Sequence, residues 1–413
     1  MTDLVPLRRN TQFQLLWAGS VVSQLGSELT RLALPLLVLA LTGSPGWAGI
    51  VTGAGVAAAV LVQMPAGVWV DRWDRRRTLI TGQAVRTVNS AVLAALILTG
   101  QVRVWQVVVL AVVDGLCVAF AEPARTTSIR AVVPVAQLPL AYMQEESRAH
   151  AARLVGPPLG GLLYGLGRAV PFVADTVTFL VALLCSIGAK VPRRPAGEER
   201  AQAKRSMRRD AGEAIAWLWH QRGLREVCAA VMVLNLLGGA FLIPLIVLVA
   251  DRGGDAVTTG TVLAGAGIGG LIGALLSHRT GALLPPGKLL ITVVTLLGAA
   301  FAAMTIPLGP WWPMVPLALF TLSAPALNVV MDVVIARMVP EGMLGRMDAI
   351  LTIVSRGLAP LGPVLGGGLA ALLGGSGALL VIGGLLLLTA AGAAAVGELR
   401  RFTGAADDVP AAS

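Results

Sequence analysis

Charged residues are scarce in this 413-residue chain. Asp, Glu, Lys and Arg make up only 13% of it, whereas hydrophobic residues make up 56%, and the mean hydropathy is +0.79. A soluble domain carries about 25% charged residues, because its surface must stay hydrated. So few charges exclude a set of soluble domains, a disordered chain and a coiled coil. The composition therefore predicts an all-α polytopic membrane protein.

Cysteine, histidine and catalytic motifs are also sparse. The three cysteines lie inside apolar stretches and the three histidines are far apart in the sequence, which argues against a disulfide framework and a metal site. The sequence contains no Walker Gly-Lys-Ser/Thr motif, and this excludes an ATP-driven pump within the chain. It also contains no nucleophile elbow and no dinucleotide fingerprint. We therefore expect neither an enzyme nor a bound cofactor.

Long apolar runs, by contrast, are abundant. A membrane-spanning helix needs about 20 mostly apolar residues, and twelve segments meet this requirement. They cover roughly 13–41, 46–69, 78–99, 104–122, 139–165, 170–190, 226–250, 258–277, 288–307, 312–337, 347–373 and 377–397. We expect two six-helix halves at 1–190 and 226–400, a cytoplasmic linker with an amphipathic helix at 191–225, and a disordered tail at 401–413.

The basic residues predict the orientation of the chain in the membrane. If both termini are cytoplasmic, 24 of the 32 Lys and Arg residues lie on the cytoplasmic side, and only Arg103, Arg168 and Arg252 lie outside. Such a bias follows the positive-inside rule. It accounts for the net charge of +10 without a nucleic-acid partner. The basic linker fits the same rule, although a lipid-binding role for its amphipathic helix remains an alternative.

The two predicted halves share a repeated motif. Gly156-Pro157-x-x-Gly160-Gly161 recurs 206 residues later as Gly362-Pro363-x-x-Gly366-Gly367. Further weak matches occur at the same offset, which indicates that the halves are structural repeats. Paired repeats of this kind are typical of secondary transporters that bind their substrate near the middle of the membrane.

A basic loop follows the second predicted span. Its notable residues are Gly67, Asp71, Arg72, Asp74, Arg75 and Arg76. Gly67 allows a close helix approach, and Asp71 could pair with an arginine in one conformation and release it in another, which would make a cytoplasmic gate. Simple positive-inside anchoring is the alternative interpretation.

On these residues the chain resembles the major facilitator superfamily. The superfamily signature Gly-x-x-x-Asp-Arg/Lys-x-Gly-Arg-Arg/Lys matches everywhere in the loop except at Asp74, where glycine is usual. The Gly156-Pro157 motif resembles the Gly-Pro signature of the superfamily's exporters, although ordinary small-residue packing is the alternative. Over about 10–400, the chain is similar to the branch that holds macrolide-efflux proteins and the enterobactin exporter, as at Glu122-Pro123-Ala124.

The resemblance implies a monomeric exporter in a bacterial inner membrane. Its two halves would rock around a central site and exchange protons for a small organic compound, such as a drug or a secondary metabolite. Two alternatives remain open. One is an importer or an uncoupled facilitator of a nutrient, and the other is a non-transporting membrane protein such as a sensor.

Ionisable residues within the predicted spans are the candidates for coupling and for the cavity. A charge in hydrocarbon costs at least about 2.5–3.5 kcal/mol, so each needs a partner, a cavity or a function. Glu28 and Arg31 share one helix face and form either a neutralising pair or a proton-binding site. Asp114 lacks a basic neighbour in its own span, and Arg86 could supply one. Arg153 precedes the Gly156-Pro157 motif and could face the cavity or hold Glu28.

Overall fold

The N-terminal part of the chain forms six long helices. The computed structural model describes residues 6–192, 222–280, 284–338 and 356–395, and these contain helices and no strand. The six helices are α1 (Thr11–Thr42), α2 (Pro45–Arg72), α3 (Arg75–Leu98), α4 (Val104–Val132), α5 (Leu138–Leu166) and α6 (Val170–Gly188).

The C-terminal part is divided into shorter pieces. Its helices are α7 (Arg222–Gly239), α8 (Leu242–Asp251), α9 (Ala256–Thr280), α10 (Pro286–Met304), α11 (Met314–Thr321), α12 (Ala324–Met338) and α13 (Leu361–Ala395). The pairs α7–α8 and α11–α12 each account for one predicted span. Helix α13 contains two, because Gly374 interrupts it with φ 70° and ψ 179°. Only glycine adopts such a backbone readily.

The helices reproduce the predicted pattern of spans. Ten helical segments of the described chain are long and apolar enough to cross a membrane. Helix α5 corresponds to a further predicted span that is not apolar enough for this criterion, and the kink in α13 separates the last two spans. The prediction of twelve membrane helices in two six-helix halves is thereby confirmed. Residues 193–221 of the linker predicted at 191–225, the start of the eleventh span at 347–355 and the tail at 401–413 lie outside the described residues.

Local capping chemistry sets where several helices begin and end. Asn10 caps α1, since its side chain accepts a hydrogen bond from the backbone N–H of Phe13 at 3.1 Å. Gly43 ends α1 in the left-handed region, with φ 64°. Asp255 precedes α9, and its Oδ1 accepts hydrogen bonds from the backbone N–H and the hydroxyl of Thr258 at 2.8 and 2.7 Å.

The outer surface of the helices is apolar. Leu98, Leu166 and Leu372 are 71–82% exposed, and many other aliphatic side chains point outward as well. A soluble protein would bury most of these groups, whereas a lipid environment accepts them without cost. The helices therefore need another source of specific contact, because burial of apolar surface from lipid supplies little driving force.

Small residues supply that contact, and they do so in the same way in both halves. An added Cβ at Gly160 on α5 would lie 2.7 Å from the carbonyl oxygen of Leu29 on α1. An added Cβ at Gly362 on α13 would lie 2.8 Å from the carbonyl oxygen of Leu236 on α7. The repeated Gly-Pro motif thus packs the fifth span against the first, and the eleventh against the seventh. The sequence repeat is therefore also a repeat of helix packing.

The described residues divide into two compact units. One contains 6–192 together with Asp255–Ala264, and the other contains the remainder. In the first unit, α1 packs against α5 and α6, α2 packs against α4, and α3 packs against α4 and α6. Four of these helices, α1, α3, α4 and α6, bring the intramembrane charges together.

Candidate functional site

A cavity of about 310 Å³ lies within the first unit. Most of its wall is apolar, and three carboxylates and one guanidinium line it: those of Glu28, Asp114, Asp175 and Arg31. Ligand sites commonly combine an apolar wall with a few well-placed polar groups. A cluster of charges within membrane-spanning helices is costly unless its members are paired or have a function.

Glu28 and Arg31 form an ion pair on α1. Arg31 Nη1 lies 3.1 Å from Glu28 Oε2, and Gln24 donates a second hydrogen bond to Oε1 at 3.3 Å. The two side chains differ sharply in exposure, since 7% of Glu28 is exposed and 62% of Arg31. The acid is therefore buried in the wall, while its partner reaches into open space. The predicted pairing along one helix face is present, and both residues line the cavity.

Arg86 and Asp114 form the second ion pair. Arg86 Nε on α3 lies 2.8 Å from Asp114 Oδ1 on α4, and Arg86 Nη2 donates to the hydroxyl of Ser27 on α1 at 2.9 Å. The guanidinium carbon also lies 4.0 Å from the centre of the Phe179 ring on α6, which is a cation–π distance. Arg86 is buried behind the cavity wall and connects four helices. Arg86 is thus the basic partner of Asp114 that the sequence suggested.

A third acid, Asp175 on α6, completes the site. In the sequence it lies near the predicted outer end of the sixth span, a few residues after that span begins, and it was not among the predicted cavity residues. Its Oδ2 accepts a hydrogen bond from the Ser90 hydroxyl at 2.9 Å, and Ser90 Oγ also lies 3.0 Å from the carbonyl oxygen of Phe172. Asp175 is only 5% exposed. Its charge within a membrane span was the available signal, but its partners lie on another helix.

The Gly-Pro motif is in direct contact with this site. Gly156 is buried on α5, and an added Cβ there would overlap Glu28 Cβ and lie 3.3 Å from the Glu28 backbone. Gly160 meets the backbone of the next residue on α1. Gly161 faces the backbone of Ala256, which belongs to the same compact unit. Pro157 lies within α5 between these contacts. The motif therefore determines how closely α5 approaches the acid of α1.

Arg153 stands apart from the cavity. It is exposed on α5 and is absent from the cavity lining, and Glu28 pairs with Arg31 rather than with it. The structure therefore brings four of the five predicted coupling or cavity candidates together: Glu28, Arg31, Arg86 and Asp114.

The signature loop lies at the junction of α2 and α3. The surroundings of Gly67 and the side chains of Asp71 and Arg72 are not among the described parts of the chain, although the backbone of α2 reaches Arg72. Asp74, which replaces the usual glycine, caps α3: its Oδ1 accepts from the backbone N–H of Arg77 at 3.1 Å. Its φ of −65° requires no glycine, so the substitution exchanges flexibility for a helix cap.

Arg75 and Arg76 begin α3. Arg76 donates from Nε to the carbonyl of Ala189 at 3.0 Å and from Nη2 to the carbonyl of Ile187 at 2.6 Å. Both carbonyls lie at the C-terminal end of α6, where unsatisfied oxygens and the helix dipole favour a cation. Arg76 thus fastens the signature loop to α6.

A second ionic cluster joins α4 and α5. Arg125 pairs with Glu122 on its own helix and with Glu145 on α5, and Arg148 Nη2 lies 3.0 Å from Glu145 Oε2. Arg148 also donates to the backbone carbonyl of Ser20 on α1 at 2.9 Å. Sequence spacing does not single out Arg125, because nothing in the sequence shows which residues of α4 face the start of α5.

Comparison with known proteins identifies the family. The sequence pattern of the transmembrane secretion effectors matches residues 1–412. The chain belongs to this family of the major facilitator superfamily. It is 27% identical over 381 residues to the multidrug efflux pump Tap of Mycolicibacterium fortuitum, covering 87% of this chain and 88% of that one. It is also 25% identical over 390 residues to the enterobactin exporter EntS of Escherichia coli, covering 90% and 88%.

A shorter similarity reaches the macrolide efflux protein A of Streptococcus pyogenes, with 26% identity over 214 residues and 52% of each chain covered. Among solved structures, a variant of the nucleoside transporter NupG has a TM-score of 0.73 at 14% identity, covering 93% of this chain and 99% of that one. A bacterial homologue of the human lysosomal transporter Spinster, in an inward-facing unoccupied conformation, has a TM-score of 0.69 at 14% identity, covering 96% and 94%. The chain is thus a multi-pass transporter with the major facilitator fold.

Proposed function

We propose that the chain exports a small organic compound, such as a drug or a secondary metabolite, in exchange for protons. The supporting observation is the cavity within the first unit, where three carboxylates line an otherwise apolar wall. The direction of transport is carried over from relatives named as efflux pumps and an exporter. An apolar wall accepts the body of an organic molecule, and carboxylates accept protons.

The ion pairs of the cavity provide a means of coupling. A carboxylate that loses its guanidinium partner within a membrane becomes costly unless it is protonated. Glu28 with Arg31 within α1, and Asp114 with Arg86 between α4 and α3, are therefore the two ion pairs that proton binding can break. In an alternating-access cycle, the two halves expose the cavity to each side of the membrane in turn, and protonation biases that equilibrium.

The signature loop is the proposed cytoplasmic gate. Arg76 already fastens this loop to the end of α6, and Asp74 stabilises the first turn of α3. Asp71 with Arg72, Arg75 and Arg76 would make and break contacts during the cycle. We place both termini in the cytoplasm and the chain in the inner membrane of a bacterium, where it would act as a monomer. The positive-inside distribution supports this orientation.

Accumulation of substrate in cells tests the proposal. Cells without their own efflux pumps would express the wild type or Asp71→Asn and would be exposed to labelled antibiotics and to ethidium, with and without a protonophore. We expect lower accumulation with the wild type alone, and we expect the protonophore to abolish the difference. Asp255→Ala serves as the matched control, because it removes a carboxylate outside the spans.

Two outcomes of this experiment would contradict proton-coupled export. If the wild type raises the uptake of a compound, or if its export is insensitive to the protonophore, the proposal of proton-coupled export is wrong. Uptake assays with nutrients would then distinguish an importer from an uncoupled facilitator. Retained transport in both Asp71→Asn and Glu28→Gln would contradict the roles assigned to these two residues.

A further inference from the structure

The cavity of the first unit holds more acids than bases. Its wall carries three carboxylates, and two guanidiniums lie in or directly behind it. Arg31 forms an ion pair with Glu28, and Arg86 forms an ion pair with Asp114. In the described part of the chain, Asp175 has no cationic nitrogen within ion-pair distance, and its Oδ1 has no hydrogen-bond partner. The acid left without a base is thus also one of the most deeply buried.

We propose that Asp175 is the residue that binds and releases the coupling proton. This proposal rests on the proposed function and adds a specific site to it. A carboxylate at 5% exposure that forms no ion pair of its own in the described part of the chain pays most of the cost of losing water, and a bound proton removes that cost. Because Glu28 and Asp114 each have a guanidinium partner, protonation of either would disrupt an ion pair. Protonation of Asp175 disrupts none.

The hydrogen bonds around Asp175 suit the protonated acid. Ser90 Oγ lies within hydrogen-bond distance of both Asp175 Oδ2 and the carbonyl oxygen of Phe172. A hydroxyl has one proton to donate and can also accept. When Asp175 carries the proton, it donates to Ser90, and Ser90 donates to Phe172. When the proton leaves to water in the cavity, the Ser90 hydroxyl turns and donates to Asp175. The exchange therefore needs only one hydroxyl rotation.

Charged and titratable groups on the neighbouring helices determine when the proton leaves. Helix α1 contributes Glu28 and Arg31, α3 contributes Arg86, and α4 contributes Asp114 and Cys117. No charged residue of α5 lines the cavity. The guanidinium of Arg86 packs on the Phe179 ring, one helical turn from Asp175 on α6. A shift of Arg86 from Asp114 towards Asp175 would favour release of the proton from Asp175 and binding of one at Asp114.

Gly26 on α1 is the positioning residue for this acid. An added Cβ there would overlap Asp175 Oδ1 and the Thr178 hydroxyl. Gly19 lies on the same helix and also packs against α6, but the atoms nearest to an added Cβ there would be Cys185 Cβ at 3.0 Å and the backbone of Ala182 at 3.5 Å. The two glycines therefore form a matched pair. Both substitutions crowd the contact between α1 and α6, and only that at Gly26 displaces the carboxyl.

Infrared difference spectroscopy of the purified full chain in lipid vesicles tests the proton site without any substrate. The C=O stretch of a protonated carboxylic acid is recorded while the pH is raised from acidic to alkaline. We expect one buried acid band in the wild type that is lost in Asp175→Asn and displaced but retained in Asp175→Glu. The band should persist in Glu28→Gln, and in Asp114→Asn it should be present at acidic pH and be lost at a lower pH than in the wild type, because Arg86 is then free to approach Asp175. Size-exclusion chromatography verifies that each variant is folded.

Other outcomes overturn the proposal. The proton site is wrong if the wild type shows no such band, if the band survives in Asp175→Asn, or if it is absent at acidic pH in Asp114→Asn or Glu28→Gln. If Asp175→Asn fails to fold, Ser90→Ala tests the site instead. This variant keeps the Asp175 carboxyl group and removes the hydroxyl that is hydrogen-bonded to it. An unshifted band in Ser90→Ala contradicts the site. Likewise, Gly26→Ala should shift the band, whereas Gly19→Ala should leave it unchanged.

A flux measurement separates this proposal from the proposed function. Vesicles containing the wild type or Asp175→Asn would be loaded with ethidium, and its movement would be followed with and without a pH gradient. We expect Asp175→Asn to lose the response to the gradient, and Asp175→Glu to retain it. A full gradient response in Asp175→Asn overturns the assignment of Asp175. If the wild type moves no ethidium, export of this probe is wrong, while the infrared band still decides where the proton binds.

Discussion

Substitution of Gly160 by alanine tests whether the Gly-Pro motif acts through close packing. Its added methyl group would lie 2.7 Å from the Leu29 carbonyl oxygen and 3.2 Å from Leu29 Cα. Both are backbone atoms, so no side-chain rotation relieves the overlap, and α1 and α5 must move apart by roughly 0.5–1 Å to restore normal contact. Overpacking of this kind costs about 1–3 kcal/mol.

A matched control isolates that cost. Alanine is also a better helix former than glycine by about 1 kcal/mol, which would mask part of the loss. Gly82 lies within α3, and an added Cβ there meets no atom within 4 Å. Gly82→Ala should therefore show the gain alone. The difference between the two variants removes the propensity contribution and leaves the packing cost of about 1–3 kcal/mol.

The cysteines of the chain provide the assay. Cys117, Cys185 and Cys228 are free thiols on membrane helices and are partly buried, so a thiol-reactive fluorophore reports unfolding as the temperature rises. For a unit of about 190 residues, each kcal/mol shifts the melting temperature by about 2–4 °C. We expect Gly160→Ala to melt below the wild type or close to it, and clearly below Gly82→Ala. Equal melting temperatures for the two variants would refute the close-packing interpretation.

Three further predictions concern single polar contacts. Arg76→Ala should lower the free energy of unfolding by about 1–3 kcal/mol, because it removes the hydrogen bonds to the end of α6. Arg77→Ala should change the free energy of unfolding by less than about 0.5 kcal/mol. Thermal melts of the two variants compare these effects. Arg86→Leu and Asp114→Asn should be coupled by about 0.5–3 kcal/mol in a double-mutant cycle, and additive effects would show that the pair contributes nothing. The backbone and hydroxyl hydrogen bonds to Asp255 hold its pKa below the ordinary value. The ionised Asp255 carboxylate therefore stabilises the folded chain above about pH 4, and this contribution is lost as the pH falls through the lowered pKa. Asp255→Ala should abolish this part of the acid dependence of melting, and an unchanged dependence would contradict it.

Much of the fold could be predicted because the membrane imposes simple rules. Apolar runs of about 20 residues mark the spans, since backbone groups in lipid must satisfy each other. The Gly-Pro repeat revealed two related halves, and the structure shows why: Gly160 and Gly362 make equivalent backbone contacts in their own halves. Glu28 and Arg31 were predictable as a pair, because their spacing places them on one helix face.

The site was predictable only where partners lie on the same helix. Asp74 departs from the family signature, yet the capping bond it forms cannot be deduced from the signature itself. Nothing in the sequence indicated that Arg125 pairs with both Glu122 and Glu145. Asp175 was visible only as an isolated charge, because its hydrogen-bond partner is a serine on α3.

The sequence by itself determined the class of protein, the number of spans, the repeat and the identity of the intramembrane charges. Those properties follow from hydrophobicity and local spacing. Only the tertiary structure decided which acid forms an ion pair between helices. Arg86 pairs with Asp114 on α4, whereas Asp175 accepts a hydrogen bond from Ser90. Helical periodicity fixes the face of each residue on its own helix. The rotation and closeness of neighbouring helices depend on contacts between small residues from distant parts of the chain, and these contacts arise only on packing.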